Sequence, residues 1–249
     1  MDKSVAAIIC AAGRSQRFSG KRNKALVDVA GRAVFLRSIE LFEERNDVKQ
    51  IILAISPDDE ELVRIKWGPN LSFFGVKTCL GGAQRSDTVK NALDALHEDI
   101  DLVAVHDAAR CCVTKELIQR LIEAATEHGA AIPASPVIPT LKKVKGNAIV
   151  KTVDRIDLYE AQTPQVFDKS LLKRAYKHFD ELDSRTIPVS DDAQLVEALG
   201  EKPVIVESDP SNLKITHSVD IAIAEAILKA RPKPKPDGPI GPYAGEAQW

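Results

Sequence analysis

Directly after an apolar run, residues 8–26 read IICAAGRSQRFSGKRNKAL, where the small residues Ala11, Ala12 and Gly13 lead into Arg14, Arg17, Lys21, Arg22 and Lys24. Small side chains at the end of a strand let backbone N–H groups approach a ligand closely, and the cations suit a ligand with several negative charges. A nucleoside triphosphate is such a ligand. Reaction at one of its phosphorus atoms adds charge to the equatorial oxygens, so fixed cations stabilise the transition state more than the ground state. Taken alone, the segment also reads as a strand-to-loop turn with a solvated basic surface. Its spacing matches neither the G-x-x-x-x-G-K-[ST] phosphate loop nor the G-x-G-x-x-G dinucleotide fingerprint.

Two further clusters carry polar groups at the ends of apolar runs. In GGAQRSDTV (81–89), a glycine pair precedes Arg85, Asp87 and Thr88 at the start of a helical pattern. Close backbone approach at Gly82 beside a positive helix terminus could seat a flat base. Capping of that helix by Ser86, Asp87 or Thr88 explains the same residues without a ligand. In VAVHDAAR (103–110), a buried strand ends at His106 and Asp107 and continues through small residues to Arg110. A carboxylate at a strand end is well placed to hold Mg²⁺ on a phosphate. The alternatives are a turn cap for Asp107 and a core position for His106.

The elements that must hold these clusters alternate. SVAAIICAA (4–12), QIILAIS (50–56), VKTCLGG (76–82), DLVAVHD (101–107), AAIPASPV (130–137) and KPVIVES (202–208) are strand-like, and most are apolar on both faces. Val89, Ala92, Leu93 and Leu96, then Leu117, Leu121, Ile122 and Ala125, recur at helical spacing between strands. The pattern predicts an α/β fold, a mostly parallel central sheet covered by helices. Residues 140–155, TLKKVKGNAIVKTVDR, alternate apolar and polar residues around Gly146-Asn147, which predicts a protruding β-hairpin arm over about 138–158. The tail 231–249 carries five prolines and reads as an extended appendage to a domain spanning 1–230.

Composition excludes several classes. The 249 residues are 44% hydrophobic, enough for a sizeable core, and 34 basic against 36 acidic residues create no global field toward nucleic acid or membrane. No run approaches the roughly 18 apolar residues of a membrane span, and no charged leader precedes an apolar segment, so the expected location is cytoplasmic. Cys10, Cys79, Cys111 and Cys112 fit neither a zinc pattern nor a disulfide framework and read as buried or incidental thiols.

Taken in order, AAG with Arg17 and Lys24, GGAQRSDTV, HDAAR, TVDR (152–155), TPQVF (163–167), SDDAQLVE (190–197) and NLKIT (212–216) resemble the 2-C-methyl-D-erythritol 4-phosphate cytidylyltransferase family over about residues 4–230. The resemblance implies a nucleotidyltransferase, Rossmann-like fold, a homodimer joined partly through the arm, and transfer of a cytidylyl group from CTP to a polyol phosphate. It assigns Arg17 and Lys24 to the triphosphate. Arg155, reaching from a partner's arm, and Lys214 hold the acceptor phosphate, with hydroxyl donors from Thr140 and Thr163. Ala11, Ala12, Gly13, Gly82 and Thr88 line the cytidine pocket, Arg85 and Arg110 complete the substrate-binding set, and Asp107 lies near the ribose and Mg²⁺ or another divalent cation. The nucleophile is the acceptor's own phosphate oxygen, already ionised near neutral pH, so no catalytic triad is expected.

The sequence departs from the family pattern at Ser15, in place of a second glycine, at Asn23, in place of proline, and at Ala25, in place of glutamine. Ala83 stands where relatives carry an acidic side chain, and Cys111 where proline is common. Ribitol-5-phosphate cytidylyltransferase is the nearest rival reading, and a non-catalytic CTP-binding module is the rival of another class. No second catalytic domain of the kind fused to some relatives is expected.

Overall fold

The computed structural model describes residues 3–13, 23–181 and 189–232. Strand β1 (Val5–Cys10) is its centre, and the alternation of its side chains shows why. Val5, Ala7 and Ile9 face one apolar layer while Ala6 and Ile8 face the other, and all five are wholly buried. A strand with helices on both faces has no polar side, hence the continuous apolar run.

β1 pairs in parallel with β4 (Val48–Ile55) and β6 (Leu102–Asp107), and β4 pairs in parallel with β5 (Lys77–Leu80). The chain thus builds outward from β1 through β4 to β5, then returns to β6 on the other side of β1. That reversal opens a crevice at the carboxyl ends of β1 and β6, where open α/β sheets bind ligands. Helices α1 (Val34–Glu43), α2 (Glu60–Phe73) and α4 (Lys115–His128) cover one face, where Phe35 meets Trp67 edge-on with centroids 5.2 Å apart. On the other face lie α3 (Arg85–Asp94), α5 (Lys169–Glu181) and α6 (Asp192–Ala198), contributing Val89, Leu172 and Val196.

The sheet continues beyond β6 through an element that periodicity missed. β11 (Gln165–Asp168) runs antiparallel between β6 and β7 (Ala130–Pro136), and β10 (Tyr159–Ala161) also pairs antiparallel with β7. β12 (Val204–Glu207) adds a parallel edge beside β7. Four residues following Thr163-Pro164 are too short for a periodic signal. What defines β11 is burial of Val166 and Phe167, both 0% exposed, between strands distant in sequence.

A short hairpin, β2 (Asp28–Val29) with β3 (Arg32–Ala33), leads into α1. It packs with α7 (Val219–Ala230) in a small third cluster that buries Cys111, Cys112 and Ile215. All four cysteines are free thiols. The expected arm is present as β8 (Leu141–Lys145) and β9 (Ala148–Val153), a separate two-stranded sheet whose turn places Gly146 at φ +58°. Among the described residues no helix is long and apolar enough to cross a membrane. The proline-rich stretch from 233 onward lies outside the described residues, as do Arg14, Arg17, Lys21 and Arg22.

His106, wholly buried on β6, packs on Phe42, and its Nδ1 lies 3.2 Å from the Thr163 hydroxyl. Burial, the largest influence, pulls its pKa from 6.5 down to about 4. The unfolded chain therefore binds this proton at higher pH than the folded one. The stability it supports is present above pH 6.5 and lost as pH falls toward 4. His106→Asn keeps an acceptor near Nδ1 but cannot take the proton. Urea titrations across that range should show the fall in unfolding free energy reduced by about 3 kcal/mol in the variant. An undiminished fall would assign it to other groups.

Candidate active site

The crevice at the strand ends holds a cavity of about 640 Å³. Its floor is the end of β1: the Ala11 N–H extends the ladder to the Ala54 carbonyl at 2.8 Å, and Ala12 and Gly13 then line the opening. Asn23 returns the chain to this floor. Its Nδ2 donates to the Ala11 carbonyl at 2.6 Å and to Asp59 Oδ2 at 2.8 Å, while its Oδ1 accepts from the Ala25 N–H at 3.0 Å. Those bonds start the 3₁₀ turn Lys24–Leu26, which brings Lys24 to the cavity wall.

The opposite rim is the glycine pair. Gly81 N–H bonds the Ile55 carbonyl at 2.8 Å, and Gly82 N–H bonds Thr88 Oγ1 at 3.1 Å. Thr88, 4% exposed, donates in turn to the Gln84 carbonyl at 3.0 Å, so its hydroxyl serves the turn as well as the cavity lining. The cap of α3 is Gln84, whose N–H is bound by Asp87 Oδ2 at 3.0 Å. Ala83 lines the same rim with a methyl group.

A second cavity of about 170 Å³ lies beside the first, and Arg85, Asp107 and Lys214 line both. These three residues form the wall between the chambers. Asp107 Oδ2 accepts from Lys214 Nζ at 2.6 Å and Oδ1 from Arg85 Nε at 3.2 Å. Burial alone would raise the Asp107 pKa, but Arg85 and Lys214 outweigh it and hold the carboxyl well below the usual carboxylate range. Arg85 Nη1 also donates to Asp192 Oδ2 at 2.7 Å, and Asp192 Oδ1 accepts from the Tyr176 hydroxyl at 2.6 Å.

Lys214 is delivered by a polar seam. Asn212 Nδ2 donates to Gln162 Oε1 at 2.9 Å and to the Thr163 carbonyl at 3.0 Å, and Ile215 N–H bonds the Ala109 carbonyl at 2.9 Å. Arg110, 6% exposed, lines the small chamber and donates from Nη1 to the Asn212 carbonyl at 2.7 Å. Burial lowers its pKa from the ordinary value.

The structure therefore gathers Ala11, Ala12, Gly13, Lys24, Gly82 and Thr88 at the large chamber, Arg110 and Thr163 at the small one, and Arg85, Asp107 and Lys214 between them. The remaining expected residues are placed as follows. Thr163 Oγ1 takes the Asp107 N–H at 3.0 Å and lies 3.2 Å from His106 Nδ1, so the oxygen supports Asp107 while Thr163 lines the small chamber. Thr140 and Arg155 sit exposed at the arm and line neither chamber of their own chain, with Arg155 donating to the Ile138 carbonyl. Asp107 meets two cations, and among the described residues no group of three or more His, Cys, Asp or Glu could hold a metal. Asp192, Tyr176 and Gln165 join the site beyond the residues the motifs assign, although SDDAQLVE and TPQVF contain two of them. Arg17 lies outside the described residues.

Residues 5–230 match the family model described as IspD, 2-C-methyl-D-erythritol 4-phosphate cytidylyltransferase. The enzyme of that name from Endomicrobium trichonymphae is 39% identical over 226 residues, covering 90% of this chain and 99% of its own. The one from Alkaliphilus metalliredigens is 36% identical over 232 residues, covering 91% and 94%. The crystal structure of the Thermus thermophilus enzyme superposes with a TM-score of 0.74 at 33% identity, covering 92% of this chain and all of that one.

The glycine pair admits no side chain. A Cβ at Gly81 would collide with the Ala12 methyl and lie 2.9 Å from Thr88 Oγ1, and one at Gly82 would collide with Asp87. Gly81→Ala must therefore part the rim from the floor. It is expected to cost about 1–3 kcal/mol in denaturant unfolding and to weaken nucleoside triphosphate binding in calorimetry. Unchanged affinity would place the ligand elsewhere.

Proposed function

The chain belongs to the 2-C-methyl-D-erythritol 4-phosphate cytidylyltransferase family and transfers the cytidylyl group of CTP to methylerythritol phosphate, releasing pyrophosphate; on that premise we propose how its residues divide the work. The two chambers sharing the Arg85–Asp107–Lys214 wall carry this reading. The large one takes CTP, with cytidine against Ala11, Ala12, Gly82 and Thr88 and the triphosphate toward Gly13 and Lys24. The small one takes the acceptor, whose phosphate meets Lys214 and whose polyol lies toward Arg110.

An oxygen of the acceptor phosphate attacks the α-phosphorus of CTP. The new P–O bond forms as the bond to the β-phosphate oxygen breaks, and pyrophosphate leaves with that electron pair. The attacking oxygen is already ionised near neutral pH, so positioning and charge do the work and no protein base is needed. The neighbouring groups suit that economy. Burial pushes the Cys10 thiol up to about 12, which keeps it protonated, and His106 is buried with Nδ1 engaged by Thr163. Lys24 and Arg17 stabilise charge on the five-coordinate phosphorus and on the leaving group.

A bound divalent cation, Mg²⁺ or another, would neutralise and align the phosphate oxygens. Asp107 is the carboxylate that would hold it. With both its oxygens already accepting from cations, the donor set fits an ion carried in on the triphosphate rather than a resident one. A cytoplasmic setting accords with CTP as substrate.

The arm supports a homodimer. Ile138, Val144, Ile149, Val150 and Ile156 are at least 57% exposed there, an apolar surface that a second copy would cover. Symmetry would then carry Arg155 and Thr140 to the partner's small chamber.

Pyrophosphate release from CTP and Mg²⁺, with methylerythritol phosphate or ribitol 5-phosphate in parallel, tests the acceptor: the former should be preferred, and preference for ribitol phosphate would overturn the assignment. For the residues, Lys24→Ala should lower kcat by about 10²-fold or more. Arg155→Ala should chiefly raise the acceptor KM. If Arg155 acts across the dimer, equilibrated mixtures of these two variants, assayed at low acceptor concentration, should regain about a quarter of wild-type activity, because one site in each mixed dimer has both residues. No recovery would place Arg155 in its own chain's site or outside catalysis.

A further inference from the structure

Asp192 is wholly buried and lines neither chamber, yet it holds a residue that lines both. Its Oδ2 receives Arg85 Nη1 at 2.7 Å and its Oδ1 the Tyr176 hydroxyl at 2.6 Å, so both oxygens are used. Arg85 Nε meets Asp107 at 3.2 Å, and Asp107 meets Lys214 at 2.6 Å. A fixed line of contacts therefore runs from Tyr176 on α5, through Asp192 on α6 and Arg85 on α3, to the strand-end carboxylate and the lysine facing the acceptor.

We propose that Asp192, itself oriented by Tyr176, is a positioning residue for cytidylyl transfer: it anchors Arg85 from behind the chamber wall and thereby keeps Asp107 on Lys214, which faces the acceptor. The inference rests on the transfer reading above. Without Asp192 the guanidinium has Asp107 as its remaining acidic partner and can swing toward it, drawing that carboxylate away from Lys214. A planar guanidinium held at two of its edges has one orientation, whereas one held at a single edge rotates. Arg85 Nη2, buried without a hydrogen-bond partner among the described residues, is a donor that an acceptor oxygen could satisfy once this orientation is set.

The backbone of Asp192 is held separately from its carboxylate. Gln165 Oε1 accepts the N–H groups of Asp192 and Ala193 at 3.1 Å each, and Asp191 Oδ1 caps the helix through the Gln194 N–H at 3.0 Å. Asp192→Asn should therefore leave α6 in place while removing the charge that holds Arg85. Tyr176→Phe removes only the hydroxyl and provides a milder second variant.

The test is steady-state kinetics of the full chain, with each substrate varied in turn, at a temperature where circular dichroism shows every variant folded. Asp192→Asn should lower kcat/KM for the acceptor by about 30-fold or more and lower kcat/KM for CTP severalfold less, with Tyr176→Phe showing the same inequality at roughly three- to tenfold for the acceptor. Wild-type values in both variants would overturn the proposal. So would equal losses for CTP and acceptor, which would mark a merely structural role. If Asp192→Asn does not fold, the Tyr176→Phe split decides alone. Absence of turnover by the wild-type chain would instead overturn the transfer reading, and this proposal with it.

Discussion

Arg85 lies between two carboxylates, Asp107 at the end of β6 and Asp192 at the start of α6, and the burial of both charges is tolerable because that guanidinium and Lys214 neutralise them. Removing charged groups from water costs several kcal/mol each unless geometry and hydrogen bonding compensate. Here the compensation is geometric as well as electrostatic. Arg85 stands on one helix, Asp107 at the end of the sheet and Asp192 on a second helix, so satisfying one guanidinium brings three parts of the fold to one place, and Lys214 joins them through Asp107. The wall between the chambers is the product of that constraint.

The sheet makes the constraint possible. Two-sided burial of β1 and β6 fixes where their carboxyl ends lie, and the reversal of strand order at β1 leaves a gap at those ends. β11 and its antiparallel neighbours then close the far side, so Thr163 can support the Asp107 amide and Gln165 can hold the start of α6. The residues that would touch substrate therefore stand on elements whose positions are set by packing, and catalysis by alignment requires that rigidity.

Departures from the family pattern acquire physical meaning on this frame. Asn23 fastens the returning loop to the end of β1 and to Asp59 through side-chain hydrogen bonds, restraint that a proline would impose through its ring. Ala83 leaves a methyl on the rim, so contacts to a base there fall to backbone groups and neighbours. Cys111, where proline is common, packs beside Cys112 in an apolar cluster that also seats Ile215, one residue from Lys214.

The sequence by itself determined the alternation of strands and helices, the hairpin around Gly146 and the clusters at the ends of β1, β5 and β6, because period and small-residue punctuation are local properties. Its ordered motifs also marked the family. Only the tertiary structure decided that β11 is a strand, since four residues become one by being enclosed between β6 and β7. It likewise decided that Thr163 is a support and that Arg85 is held by Asp192 from a segment 107 residues away. Pairing of buried charges depends on distances across the folded chain, and no local pattern encodes them.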